Sequence, residues 1–502
     1  MDDINVYDLL VAAAEKYGNK TAIFDDNQNM KVDFSTLKSN TFRLANALIK
    51  LGLKKGDKLG VYLPNCSEYF YSYLSSYITG IIIVPMDFFL QKNELINITN
   101  HCDIKVIITT TTSRASLDEI KNKTKSLENI ITIEDSPYYI SFWKLINSSD
   151  NFFKKAAIDK RSYSTIFYTS GSTGAPKGVV WNHKHIYMGA SASKYFLDIS
   201  EKDRVITAIP MSHSGGILFP MLAIKEGIST AIMRRFSPLD FVQLIEKRNV
   251  TLFWIVPSMF YAIIELKNIN SFNLDSIKYA AVFGAQFSTQ IIAKFRHFFP
   301  NGHILNGWGM TEVIPPTTVG STTNLDSVGK PYKNITLEII DQKGALLKAD
   351  KMGEIVAKGT GIFVEYYNEP ELTNEAMLNG WFKTGDLGKK DELGNLYILD
   401  RTKDMIKVGG ELVWSSEVEE CLMSHPCTKE AAAIGVDDKL RGEVVKAFVV
   451  LKPGIILPEK YLREYCKNML ARFKIPRYIT YLAELPRTGT GKTDKTKLKS
   501  LN

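Results

Sequence analysis

Cysteine is scarce in this chain of 502 residues. Its five cysteines, Cys66, Cys102, Cys421, Cys427 and Cys466, are scattered and form no C-x-x-C pair. Neither a disulfide scaffold nor a zinc site is supported, and a reduced, cytoplasmic setting is expected. Long apolar runs are missing as well: none reaches the roughly 18 residues that a membrane span needs. The longest, 78–86, reads as a buried strand with Gly80 at its entry. The opening Met1-Asp2-Asp3-Ile4-Asn5 carries acids where a signal peptide would carry bases, so no export signal is expected. Charge of one sign is only mildly in excess, with 62 Lys and Arg against 54 Asp and Glu, a net +8. That suits phosphate-bearing ligands and solubility equally, and with no basic-aromatic module present nucleic acid is not an expected partner.

What is present describes an ordinary globular protein, 45% hydrophobic and 23% charged. Its length allows about three domains. Up to about residue 160, helical patterns (6–17, 34–53) alternate with β-branched runs (58–63, 105–110), and the rhythm continues through 204–209, 239–247, 252–256, 279–283 and 290–298. Such alternation predicts layered α/β sheets, with ligands at the loops that follow strand ends. From about 327 the texture changes to short alternating strands at 336–340, 353–358 and 395–399, split by Asp-Gln-Lys-Gly and Asp-Glu-Leu-Gly turns. A β-rich subdomain over about 327–400 is expected. The fold class is thus α/β: a large N-terminal domain (1–400), a hinge (401–403) and a small α+β C-terminal domain (404–502).

The strongest local signal is Tyr168-Thr169-Ser170-Gly171-Ser172-Thr173-Gly174-Ala175-Pro176-Lys177-Gly178. Small residues let backbone N–H groups turn inward as an anion nest, hydroxyls add donors, and Lys177 offers a point charge to phosphate. Pro176 stands where a Walker A loop needs Gly, so this is a different phosphate loop. Near the C-terminus Thr488-Gly489-Thr490-Gly491-Lys492 fails the Walker pattern for a similar reason, because Pro486 replaces its first Gly.

The phosphate loop resembles the signature loop of the acyl-adenylate-forming superfamily, which holds acyl-CoA synthetases, peptide-synthetase adenylation domains and firefly luciferases. Further motifs follow in that family's order: Asn306-Gly307-Trp308-Gly309-Met310-Thr311-Glu312, Trp381-Phe-Lys-Thr-Gly-Asp386-Leu-Gly388, Asp400-Arg401-Thr-Lys403-Asp-Met-Ile-Lys-Val-Gly409-Gly410 and Pro486-Arg-Thr-Gly-Thr-Gly-Lys492. They span the chain from about residue 160 to its end.

The chemistry of these residue types fits such roles. An aromatic face at Trp308 can stack on a purine, Thr311 can donate to phosphate, and Glu312 supplies the hard oxygen that Mg²⁺ prefers. The bland alternative, with Trp308 as core filling and Glu312 as a helix cap, is the lesser one. The resemblance implies that Asp386 accepts the ribose hydroxyls, with Arg401 as a second ribose or phosphate contact. It implies that Gly284-Ala285-Gln286 lies along the adenine and the acyl pocket, and that His213, Ser214 and Gly215 line that pocket. Lys492 matches the family's mobile catalytic lysine, Lys403 its hinge residue, and Gly409 and Gly410 the pantetheine path.

The implied reaction is attack of a carboxylate on the α-phosphorus of Mg-ATP, release of pyrophosphate, then transfer of the acyl group to a thiol. Amino-acid-activating members usually carry an Asp near His213 to pair with the α-ammonium, and none lies between Pro210 and Pro220. A buried, unpaired ammonium is costly, so a fatty or aryl acid is expected. After Gly410 the chain reads Glu-Leu-Val-Trp-Ser-Ser, where many acyl-CoA synthetases carry an Asn and a Tyr-Pro. CoA is the expected acceptor, with the phosphopantetheine of an acyl or peptidyl carrier protein as the alternative. Stand-alone amino-acid adenylation, a non-turning-over nucleotide sensor and an oxidative light emitter stay open as rival readings.

Overall fold

The computed structural model describes residues 5–111, 114–170, 176–283, 289–320, 323–401, 404–409, 411–438, 440–487 and 493–501. Two large sheets and their helices form the N-terminal domain. In the first, the strands His303–Met310, Tyr279–Phe283, Leu252–Ile255, Arg204–Ile206, Ser229–Ala231 and Thr21–Asp25 run parallel, in that spatial order. Antiparallel strands close its edges: Val313–Val319 and Lys330–Pro331 on one side, Met30–Asp33 on the other. In the second, Ile140–Ser141, Asn129–Thr132, Ile104–Thr109, Lys58–Val61, Ile82–Pro85 and Tyr163–Ser170 lie side by side in parallel, and Pro176–Asn182 returns antiparallel to the last.

The helix Ser67–Thr79 is buried along its whole length. A helix submerged on every side must satisfy its polar groups internally, and its tyrosines do so by reaching across the molecule. Tyr69 donates to the Val61 carbonyl at 3.0 Å, Tyr73 to the Met211 carbonyl at 2.6 Å, and Tyr77 shares a 3.0 Å hydrogen bond with Thr165. The last two hold the loop before His213 and the strand leading to the phosphate loop. The run at 78–86 is not one strand as expected. Ile78 and Thr79 end this helix, Gly80 caps it at φ +76°, and only Ile82–Pro85 is a strand. An apolar run reads alike whether it closes a buried helix or opens a buried strand.

The β-rich region is a third, antiparallel sheet of Ile335–Ile340, Gly353–Gly359, Met377–Leu378, Trp381–Lys390 and Leu396–Arg401. Period-two alternation along Trp381–Lys390 turns Phe382, Thr384, Asp386 and Gly388 inward. Beyond it, Ile406–Val408, Glu411–Val413, Thr428–Asp438, Gly442–Leu451 and Tyr478–Tyr481 make a small sheet, with the helices Ser415–Met423 and Glu459–Met469 in its core. Asp400 ties the two regions together, accepting from the Ser415 hydroxyl at 2.9 Å and the Ser416 amide at 3.2 Å. No helix of the described residues is long and apolar enough to cross a membrane.

Candidate active site

Two hairpins and one inward-facing strand build the site. Strands Tyr163–Ser170 and Pro176–Asn182 pair antiparallel, with Thr169 opposite Lys177. Gly171, Ser172, Thr173 and Gly174 themselves lie outside the described residues. Beside them the Thr169 hydroxyl is shielded from solvent and has no hydrogen-bond partner among the described residues. A donor in that position is free to serve an incoming oxyanion.

The second hairpin joins His303–Met310 to Val313–Val319, with Thr311 and Glu312 at its turn. Gly309 permits it: a Cβ there would come within 2.9 Å of the Pro315 side chain. Trp181, on the phosphate hairpin, donates its indole N–H to the Thr311 carbonyl at 2.8 Å. Glu312 therefore faces Lys177, with Nζ 3.1 Å from Oε1.

Between them sits Tyr366, which the sequence motifs did not single out. Lys177 Nζ donates to its hydroxyl at 2.6 Å and lies 4.0 Å from its ring centre, while that hydroxyl donates to Glu312 Oε1 at 3.0 Å. Burial, and then the Glu312 charge, push the Tyr366 phenol well above the ordinary tyrosine range, so it stays a donor.

Asp386 meets the second hairpin from the third sheet, at Trp308. Its Oδ2 accepts from Trp308 Nε1 at 2.8 Å, and its Oδ1 lies 3.2 Å from Arg401 Nε, in the strand register that sets Asp386 opposite Arg401. Trp308 is 5% exposed and packed into the main core, so its polar edge is what it gives to the site's known contacts. Asn306 lies on the same strand with its amide donating to the Leu325 carbonyl at 2.9 Å, and Gly307 leaves room for the Phe283 ring.

The loop that carries His213 reaches the Thr311-Glu312 turn through Ser214, whose hydroxyl is 3.3 Å from that of Thr311. Asn65 holds the loop's origin: its buried amide donates to the carbonyls of Thr207, Ile209 and Met233 and accepts from the Met211 amide. His213 Nε2 lies 3.2 Å from Asp87 Oδ2. No Asp stands between Pro210 and Pro220, yet the fold brings in a carboxylate 126 positions away. Asp87 follows the parallel strand Ile82–Pro85, and a loop at the end of such a strand was the signal that could have found it.

Gly409 has φ +60° with open space where a Cβ would stand. Gly284, Ala285, Gln286, Lys403, Gly410 and Lys492 lie outside the described residues.

The AMP-binding enzyme family matches residues 10–367, and the AMP-binding enzyme C-terminal domain matches 417–492. The chain belongs to the AMP-binding enzyme family. As an enzyme of that family it is an AMP-forming acid–thiol ligase. The chain is 30% identical to a long-chain-fatty-acid–CoA ligase of Bacillus subtilis, over 96% of this chain and 92% of that protein. It is 29% identical to the 2-succinylbenzoate–CoA ligase of the same species, over 98% and 97%. Among solved structures, an anthranilate CoA ligase in complex with anthranoyl-AMP superposes with a TM-score of 0.92 at 26% identity, over 99% of this chain and 97% of that one.

Proposed function

We propose that this ligase activates a carboxylic acid lacking an α-amino group, fatty or aryl, as its acyl-AMP, and then passes the acyl group to CoA. The observation that carries the reading is the Ser214–Thr311 contact, which sets the acyl-side loop one hydrogen bond from the phosphate-side turn. Transfer of AMP to a carboxylate needs those two sides adjacent, because most of the rate comes from positioning. The acid is already ionised at neutral pH, so no general base is required.

In this reading Thr169, Lys177 and Thr311 bind the phosphates, Asp386 and Arg401 the ribose, and the His213 loop the acid. Glu312 is a buried carboxylate already balanced by a cation, and it fits as the protein ligand of Mg²⁺, which typically takes one or two carboxylates beside phosphate oxygens and water. The ion would neutralise charge on the phosphates. Lys492 would move to the reacting carboxylate and α-phosphate, and rotation about Lys403 would exchange it for the thiol path beside Gly409 and Gly410. The preference against amino acids is supported by Asp87, whose carboxylate is occupied by His213. The relatives that act with CoA support that acceptor over a carrier protein, and the ATP and CoA pools it needs favour the cytoplasm.

ATP–pyrophosphate exchange across a panel of fatty, aryl and amino acids tests the first step. Exchange with no acid would overturn the reading, and exchange with amino acids alone would overturn the substrate class. Thioester formation with CoA against a phosphopantetheinylated carrier then tests the acceptor. Lys403→Pro should spare exchange and cripple thioester formation, whereas equal loss of both would remove the hinge from the scheme.

A further inference from the structure

Residues 361–367 form a strap that is hydrogen-bonded to both nucleotide-side hairpins at once. Towards the Thr311-Glu312 turn, the Phe363 amide donates to the Glu312 carbonyl at 2.9 Å and the Ile314 amide to the Gly361 carbonyl at 3.0 Å. Towards the phosphate hairpin, Val364 donates to the Val180 carbonyl at 2.9 Å, Val180 to the Glu365 carbonyl at 3.0 Å, and Tyr367 to the Gly178 carbonyl at 2.7 Å. Gly178 makes the close approach possible, since a Cβ there would lie 3.2 Å from the Tyr367 Cβ and 2.9 Å from the Ile166 side chain.

Tyr366 stands where the strap passes between the two functional side chains. Its backbone amide donates to the Thr373 hydroxyl at 2.9 Å, and its ring packs 4.7 Å from that of Phe363, leaving it 3% exposed. Thus neither the main chain nor the ring is free to wander, and the hydroxyl is delivered to one place. There it accepts from Lys177 and donates to Glu312. Both the tyrosine and the lysine contact Oε1 of that carboxylate, and Oε2 takes no hydrogen bond from any described residue.

A single buried carboxylate facing a lysine has two uses that conflict. Paired with Lys177 it is electrostatically satisfied, but the lysine is then unavailable to phosphate and the carboxylate is shielded from a cation. A third group that holds the carboxylate in place when the lysine leaves resolves the conflict, because a ligating carboxylate keeps its orientation only if its outer oxygen is hydrogen-bonded. We propose that Tyr366 is a positioning residue of the adenylation step: it anchors Glu312 through Oε1, leaving Oε2 for the magnesium of the incoming nucleotide, and it parks Lys177 on that carboxylate until a triphosphate draws the lysine away. The inference rests on the adenylation reading above.

The test is Tyr366→Phe, which keeps the ring, its packing and its face towards Lys177 while deleting the hydroxyl. Three quantities are read on the full-length protein: the Mg²⁺ dependence of ATP–pyrophosphate exchange, the calorimetric affinity for Mg-ATP without acid, and the affinity for ATP in EDTA. The half-saturating Mg²⁺ concentration should rise by about tenfold or more, as loss of a metal ligand's outer partner commonly does. Mg-ATP should bind more weakly, and metal-free ATP no more weakly than to the wild type. Adding Tyr366→Phe to Glu312→Gln should leave the already weakened Mg²⁺ dependence unchanged, because the tyrosine acts through that carboxylate.

A variant with lowered Tm but wild-type Mg²⁺ dependence would overturn the proposal and leave Tyr366 a packing residue. So would an equal loss of affinity for Mg-ATP and metal-free ATP, or additive losses in the double variant. Failure of the wild-type protein itself to bind Mg-ATP would instead overturn the adenylation reading, and this inference with it.

Discussion

The indole N–H of Trp308 donates to Oδ2 of Asp386 across 2.8 Å, in a pair whose members lie 78 positions apart and are both buried. An aromatic residue expected to present its face to a purine thus has a second task, which is to orient the carboxylate that the ribose hydroxyls would share.

Trp308→Phe separates the two tasks. It keeps an aromatic ring and removes a hydrogen bond to a charged group, a loss of about 1.5–3 kcal/mol. The KM for ATP should rise by about tenfold or more, since about 1.4 kcal/mol is one decade. Discrimination against 2′-deoxy-ATP should shrink with it, because a loosened Asp386 no longer selects for both hydroxyls. An unchanged preference for the ribose 2′-hydroxyl would show that Asp386 is held without the indole.

Asp87 and His213 make a second such pair, with Nε2 and Oδ2 3.2 Å apart, at the loop proposed to bind the acid. Asp87→Asn preserves shape and deletes the charge that holds the imidazole. The KM for the acid should rise by about fivefold, the equivalent of about 1 kcal/mol, while the KM for ATP stays within twofold of wild type, roughly the effect of a contact that only the acid senses. Exchange kinetics with each substrate varied in turn read both numbers. Equal changes in the two would mean that the substitution disturbs the fold.

These two pairs also mark what could be read from the chain alone. Short-range signals carried far: the run expected at 239–247 is the helix Pro238–Arg248, whose ends the structure shows capped by the Ser237 side chain and by Asn249 at φ +47°. The order of the motifs pointed to the family before any contact was known, whereas the strand Trp381–Lys390 that turns Asp386 inward was not among the strands expected. Contacts set by the fold left no such trace. Tyr366 meets Lys177 from 189 positions away, and Asp87 meets His213 from 126. Tyr366 belongs to no motif read from the chain, and the place of Asp87 after the strand Ile82–Pro85 marks a ligand-side loop without naming His213 as its partner, since each role exists only once two sheets and a strap have been assembled. The inference from the missing Asp was local in the same way: a search between Pro210 and Pro220 could not detect a carboxylate delivered by another strand.

Asn65 links packing to the loop proposed to bind the acid. Its side chain serves three carbonyls and one amide in the loops at 207–211 and at Met233, and it is 6% exposed. Asn65→Ala would strand these groups away from water, at a cost of about 3 kcal/mol from several lost hydrogen bonds. Urea denaturation should show that loss. At temperatures where the variant remains folded, the KM for the acid should still be raised, because the Met211 amide no longer fixes the start of the His213 loop. A stability loss with wild-type acid kinetics would confine Asn65 to the core.

Next to the strand Pro176–Asn182, His183 and His185 should give the fold an acid limit. Burial pulls both imidazoles down from the usual 6.5 to about 4, aided for each by a nearby lysine, Lys55 for His183 and Lys184 for His185. The His185 ring accepts from the Asn182 amide at 3.2 Å, where the strand Pro176–Asn182 ends. Because the folded protein holds both rings neutral, neither costs stability above the unfolded pKa of about 6.5. As pH falls from 6.5 towards 4, the unfolded chain takes up protons that the folded chain refuses. Stability therefore declines through that window and levels off below it, by up to about 3 kcal/mol for each ring. His183 packs its ring edge-on to Tyr77, and its Nε2 has no hydrogen-bond partner among the described residues, so phenylalanine is a fair replacement. His183→Phe should remove about half of the decline between pH 6.5 and 4 and leave stability at pH 7.5 within about 1 kcal/mol of wild type. Urea midpoints measured across that range supply the test. A variant that loses stability with acid as steeply as the wild type would move the acid limit to other groups.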